Sequence, residues 1–96
     1  MSITDRYYFQ LYVADTGPNS AQAIKNLHAL CTTHLAGRHE IEMIDVFKQP
    51  IRALTEGILM TPTLIKLAPA PICRIVGTLS QVDIVLDALG LEPTQP

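Results

Sequence analysis

The chain of 96 residues reads as a single α/β domain, one layer of mixed sheet with helices against it, in the order β-α-β-α-β-β-α. Three observations predict this. The run "YYFQLYVA" is apolar or aromatic at nearly every position. Two longer stretches, following Pro18 and Gly77, carry apolar residues at three-and-four spacing, the period of a helix packed on one side. Between them lie short runs of Ile, Leu, Met and Val punctuated by Pro and Gly.

Taken in order, the run from Tyr7 to Ala14 is apolar enough to be a strand covered on both faces, hence central. "DTGPNS" breaks it, and Pro18 suits a first helical position, where its missing N–H has no partner to lose. The helix that follows presents Ile24, Leu27, Leu30, Cys31 and Leu35, and Gly37 marks its end. His39 to Phe47 is a second strand, parallel to the first by the right-handed crossover rule. "KQPIRALTEGIL" offers a short helix with Pro50 in its first turn and Gly57 as stop. Thr63 to Leu67 and Ile72 to Val76, joined by "APAP", form an antiparallel hairpin. In "TLSQVDIVLDALG", Ser80 is a candidate N-cap, with Asp83 three residues on and a core face of Val82, Val85, Leu86 and Leu89. Gly90 ends this last helix. The order is that of the thioredoxin architecture.

Composition narrows the function. With 48% hydrophobic and 17% charged residues the chain is a folded domain rather than a disordered one. Its net charge is -2, and its seven Lys and Arg are scattered, so nucleic acid is not an expected partner. No apolar stretch approaches the ~20 residues of a membrane span. The first dozen residues lack the basic segment and long apolar core of a secretory signal, so a cytoplasmic location is expected. Residues 1–5 and 92–96 are expected to be flexible tails of a domain spanning 1–96.

The chemistry of a thiol oxidoreductase is missing. An attacking cysteine needs the start of the first helix, whose dipole stabilises a thiolate. That place holds "DTGPNS"; Cys31 falls late in the helix on its apolar side and Cys73 lies on the last strand. Both read as small buried apolar residues. His28, Cys31 and His34 recur every three residues but drift around the helix, with no acidic or cysteine pair nearby to complete a tetrahedral metal site. Glu40, Glu42 and Asp45 alternate along a strand and read as solvated or edge groups. No Gly-rich phosphate loop is present. A non-enzymatic protein without cofactor or metal is expected.

With the elements in hand, "LYVADTGPNSAQAI", "EMIDVFKQP", "MTPTLIKLAPAPICRIVG" and "LSQVDIVLDAL" resemble the KaiB family of circadian-clock proteins. The likeness runs through residues 7–91, in order and with almost no change of spacing. It implies a small adaptor that docks on a KaiC-type hexameric ATPase and modulates its phosphorylation and ATPase cycle. A clock-related histidine kinase is a second implied partner. A thioredoxin-like interaction module for signalling or stress, outside a true clock, is the alternative.

The resemblance also implies two folds, a partner-binding monomer with the thioredoxin-like order and an oligomer, dimer or tetramer, with the order β-α-β-β-α-α-β. The change falls in the second half, where Pro62, Pro69, Pro71, Gly77 and Ala88 are its structural positions. X-Pro isomers differ by only about 0.5–1 kcal/mol and exchange slowly, so the three prolines either set the rate of that change or serve as a fixed cis-proline and turn residues. Lys66 and Arg74 are the expected partner-binding residues. Cys73, Gln22, Glu42 and Gly57 stand where family members often carry basic residues, which weakens electrostatic docking or redirects it. Ala88 replaces a common glycine, worth ~1 kcal/mol within a helix, and favours the thioredoxin-like order.

Overall fold

In the computed structural model, which describes residues 6–14 and 17–91, the chain forms β1 (Tyr7–Val13), α1 (Pro18–His34), β2 (His39–Asp45), α2 (Pro50–Thr55), β3 (Thr63–Ala68), β4 (Cys73–Val76) and α3 (Val82–Leu89). This is the β-α-β-α-β-β-α order, not the β-α-β-β-α-α-β alternative. The two expected tails lie outside the described residues, as do Asp15 and Thr16.

The sheet runs β2-β1-β3-β4. β1 pairs in parallel with β2, Tyr7 opposite His39 through Val13 opposite Asp45, as the crossover through α1 requires. β3 runs antiparallel to both β1 and β4. Alternation along β1 divides the interior. Tyr7, Phe9, Leu11 and Val13 face a larger core with Ala23, Leu27, Leu30, Cys31 and Leu35 of α1 and its cap and Val85, Leu86 and Leu89 of α3. Tyr12 faces a smaller one with Ile44, Ile65 and Ala53 of α2. Two helices therefore cover one face of the sheet and one short helix covers the other, which makes the outer surface of α2 the thin side of the molecule.

The last helix departs from expectation at its start. Gln81 is the N-cap residue and offers no side-chain hydrogen bond. Ser80 Oγ instead lies 2.7 Å from Thr78 Oγ1, while Asn26 of α1 donates to Thr78 O at 2.8 Å and to Ser80 Oγ at 3.4 Å. The hydroxyl is thus held by its neighbours rather than by the helix. Val82, expected on the core face, is half exposed because Leu79 fills that place, buried and with φ 63°. At the other end Gly90 takes φ 76°, and Leu91 N–H donates to Leu86 O at 2.8 Å.

The hairpin is fenced as its prolines suggest. The Thr61-Pro62, Ala68-Pro69 and Ala70-Pro71 bonds are cis. Gly77, at φ 119°, donates its N–H to Pro62 O at 2.9 Å and so closes the open end of the hairpin. That φ favours glycine. Ile72, expected to open β4, is outside the strand and exposed.

Candidate partner-binding surface

The segment joining β2 to β3 forms a turn, a short helix and a second turn. Asp45 begins it: its carboxylate accepts the Phe47 N–H at 2.8 Å and its carbonyl accepts Lys48 and Gln49 N–H at 3.1 and 2.9 Å. Pro50 then starts α2. At Gly57, φ 69°, the chain turns back and Ile58 N–H returns to Ala53 O at 2.9 Å.

Six residues of helix bury one small side chain, Ala53, against the sheet. The others point elsewhere. Phe47, Ile51, Leu54, Leu59 and Met60 are between 64% and 94% exposed. Ile51 and Leu54, three apart, share a helix face, and the other three bracket it. So many large apolar side chains on one exposed turn–helix–turn make it the candidate interaction surface of the molecule.

Two arginines fix this segment on the sheet. Arg52 donates from both guanidinium nitrogens to the Glu42 carboxylate of β2, each at 2.7 Å, a bidentate pair. Gln10 donates to the same carboxylate at 3.3 Å, and the Tyr12 hydroxyl donates to Gln10 Oε1 at 3.4 Å. The Arg52 hydrogen bond holds the Glu42 carboxyl below the usual carboxylate range, while burial raises the Tyr12 phenol. Arg74 of β4 donates to Glu56 O at 2.7 Å and Gly57 O at 3.2 Å, satisfying carbonyls that the end of α2 leaves open.

Arg74 therefore lies beside the apolar surface, with its guanidinium engaged by backbone. Lys66 does not join it. Its register partner is Cys73, on the α1 and α3 side; it is only 4% exposed, with Nζ 5.8 Å from the centre of the Tyr7 ring. The structure does not bring the two expected partner-binding residues together.

Nothing among the described residues assembles thiol or metal chemistry. Cys31 is buried, and burial pushes its thiol up to about 12, the reverse of what a nucleophile needs. Cys73 donates its S–H to Ala88 O at 3.3 Å. Among the described residues no three His, Cys, Asp or Glu stand close enough to hold a metal, and no helix is long and apolar enough to cross a membrane. Of the strand carboxylates, Glu42 is not a merely solvated group but one half of the α2 clamp.

The exposed apolar surface was the feature that spacing alone did not single out. Its signal is an imbalance: "FKQPIRALTEGILM" carries more large apolar residues than a six-residue helix can bury.

Comparison with known proteins agrees with this fold. The KaiB domain model matches residues 10–91. The circadian clock oscillator protein KaiB of Synechococcus sp. (strain RCC307) is 44% identical over 91 residues, 95% of this chain and 83% of that protein. Among solved structures, the N-terminal domain of Synechococcus elongatus SasA superposes with a TM-score of 0.72 at 19% identity, covering 100% of this chain and 94% of that one. Mitochondrial thioredoxin 3 from Saccharomyces cerevisiae superposes at 0.71 and 14% identity, covering 91% of this chain and 80% of that one. These two likenesses are of fold alone.

Proposed function

The chain belongs to the KaiB family, and from that premise we propose that it is a non-enzymatic cytoplasmic adaptor that docks on a KaiC-type hexameric ATPase and modulates its phosphorylation and ATPase cycle. The family match makes it a clock-related protein. The single observation that supports docking is the exposed apolar surface of α2 and its flanking turns. In this reading the apolar side chains carry the contact, with Arg74 holding the end of α2 in place beneath them. Lys66, buried in this fold, supports the domain rather than the contact.

One observation favours a second reading, a related module serving a signalling partner outside a clock. Of the basic residues on this surface, Arg52 is taken up by Glu42 and Arg74 by backbone carbonyls, which leaves Lys48 in the turn before α2. A partner selected by electrostatic steering would find little here. Size-exclusion chromatography of the chain with a KaiC-type hexamer, with and without ATP, separates the readings. Nucleotide-dependent co-elution is expected of the adaptor; absence of a complex in both conditions overturns it.

A further inference from the structure

We propose that the open edge of β4 is a separate docking site, which takes as an added strand an extended segment of a partner protein carrying apolar residues at alternate positions and a Lys or Arg. β4 ends the sheet, so one side of it has no neighbouring strand. Gly77 N–H bonds to Pro62 O across the hairpin, and bonded and non-bonded pairs alternate along an antiparallel ladder. Leu64 and Ile75 are therefore a bonded pair, while Thr63–Val76 and Ile65–Arg74 are non-bonded ones. The N–H and C=O groups of Arg74 and Val76 thus point away from β3, to the open side. Two donors and two acceptors about 7 Å apart match the repeat of another extended backbone. No Pro or Lys interrupts Cys73–Val76 to protect this edge, and the Arg74 guanidinium is drawn off to the Glu56 and Gly57 carbonyls.

The side chains around the edge set the chemistry of the occupant. A groove of about 260 Å³ runs between β4 and the start of α3, lined by Ile75, Val76, Leu79, Ile84 and Val85. Val76 and Ile84 are exposed, as is Ile72 just before the strand. A strand added to β4 presents every second side chain to this groove, so apolar residues at alternate positions fit it. Asp87 supplies the charge. Cys73 S–H donates to Ala88 O, which sets the end of α3 and Asp87 beside the start of β4. The Asp87 carboxylate is exposed and has no ion pair among the described residues. It lies in the last turn of α3, where the helix dipole disfavours an anion and no basic residue offsets it. A Lys or Arg on the added segment is the partner that the fold does not give it. The edge is only four residues long, so the association is weak and reversible, in the range of transient contacts.

NMR titration of the chain with a blocked peptide that alternates Val and Thr and carries one Arg tests this. Saturable shifts and slowed exchange of the Arg74 and Val76 amides are expected at peptide concentrations up to about 1 mM. The same peptide N-methylated throughout should bind at least tenfold more weakly, since it keeps the side chains and loses the donors. Val76→Pro, which removes an edge N–H and leaves the ladder to β3 intact, should do the same. Asp87→Asn should weaken binding of the Arg peptide several-fold and leave its Gln counterpart unchanged. Leu54→Asp should change nothing, which keeps this test apart from docking on α2. The proposal is overturned by absence of saturable binding, by shifts centred on α2 or on β2, the other edge of the sheet, by tolerance of N-methylation, or by equal binding of the Arg peptide to Asp87→Asn. Concentration-dependent protection of the Arg74 and Val76 amides in the chain alone also overturns it, because the occupant would then be a second copy.

Discussion

Lys66 and Arg74 lie on neighbouring strands but on opposite faces of the sheet: Lys66 pairs with Cys73 toward α1 and α3, and Arg74 pairs with Ile65 toward α2. Two basic residues eight apart in sequence suggest one patch. The alternation of side chains along β3 and β4 divides them, and only Arg74 is left beside the exposed apolar surface.

The clamp beneath that surface has a pH signature. Glu42 is held below the ordinary carboxylate range by Arg52. A depressed carboxyl contributes stability that is fully present above its unfolded value and is lost as pH falls through its folded value. Glu42→Gln should therefore lose this contribution at neutral pH and flatten the acid side of the stability curve by the same amount, a small one because the pair is largely solvent-exposed. Thermal melts between about pH 2 and 7 follow it; an unchanged acid limb in Glu42→Gln would contradict the assignment.

Cys31 gives the opposite signature. Its thiol is raised from 9.0 to about 12 by burial. The stability tied to this neutral thiol is complete below the unfolded value and is lost as pH rises toward the folded one. Cys31→Ala should flatten the alkaline limb. In the native chain at neutral pH, iodoacetamide should label Cys73 before Cys31, read by mass spectrometry, with Cys31 reacting only on unfolding.

The helical state of the C-terminal segment depends on one side of α3. Leu86→Ala should cost about 2–5 kcal/mol, since that side chain is buried in the main core. Ile84→Ala, on the exposed side, should stay within ~0.5 kcal/mol. Ala88→Gly, also exposed, should weaken the helix by about 1 kcal/mol. Denaturant melts measure the first two. Faster amide exchange across residues 82–89 in Ala88→Gly measures the third.

The order of elements was legible because each carried a local signal: the dense apolar run of β1, the three-and-four spacing of α1, and Pro and Gly at the helix ends. The start of α3 was not. Ser80 sits where an N-cap should, but Asn26, distant in sequence, and Thr78 engage the Ser80 hydroxyl, and Leu79 displaces Val82 from the core. Such long-range competition leaves no mark on a local pattern. The Glu42–Arg52 clamp was hidden for the same reason, because it joins a strand to a helix and neither residue's own element announces the other. The burial of Lys66 was not legible either, because a lysine within a strand ordinarily seeks water, whereas in this fold its stem is covered and its charge rests near the Tyr7 ring.

In the proposed function, a KaiC-type ATPase docks on the apolar face of α2. Binding of the hexamer, in ATP, to immobilised wild-type chain, Leu54→Asp and Ile84→Asp tests it most directly. Leu54 and Ile84 are both well exposed, one on α2 and one on α3. Loss of at least tenfold in affinity, ~1.4 kcal/mol, for Leu54→Asp with Ile84→Asp close to wild type is the predicted result. Equal binding by wild type and Leu54→Asp, or loss confined to Ile84→Asp, would contradict it.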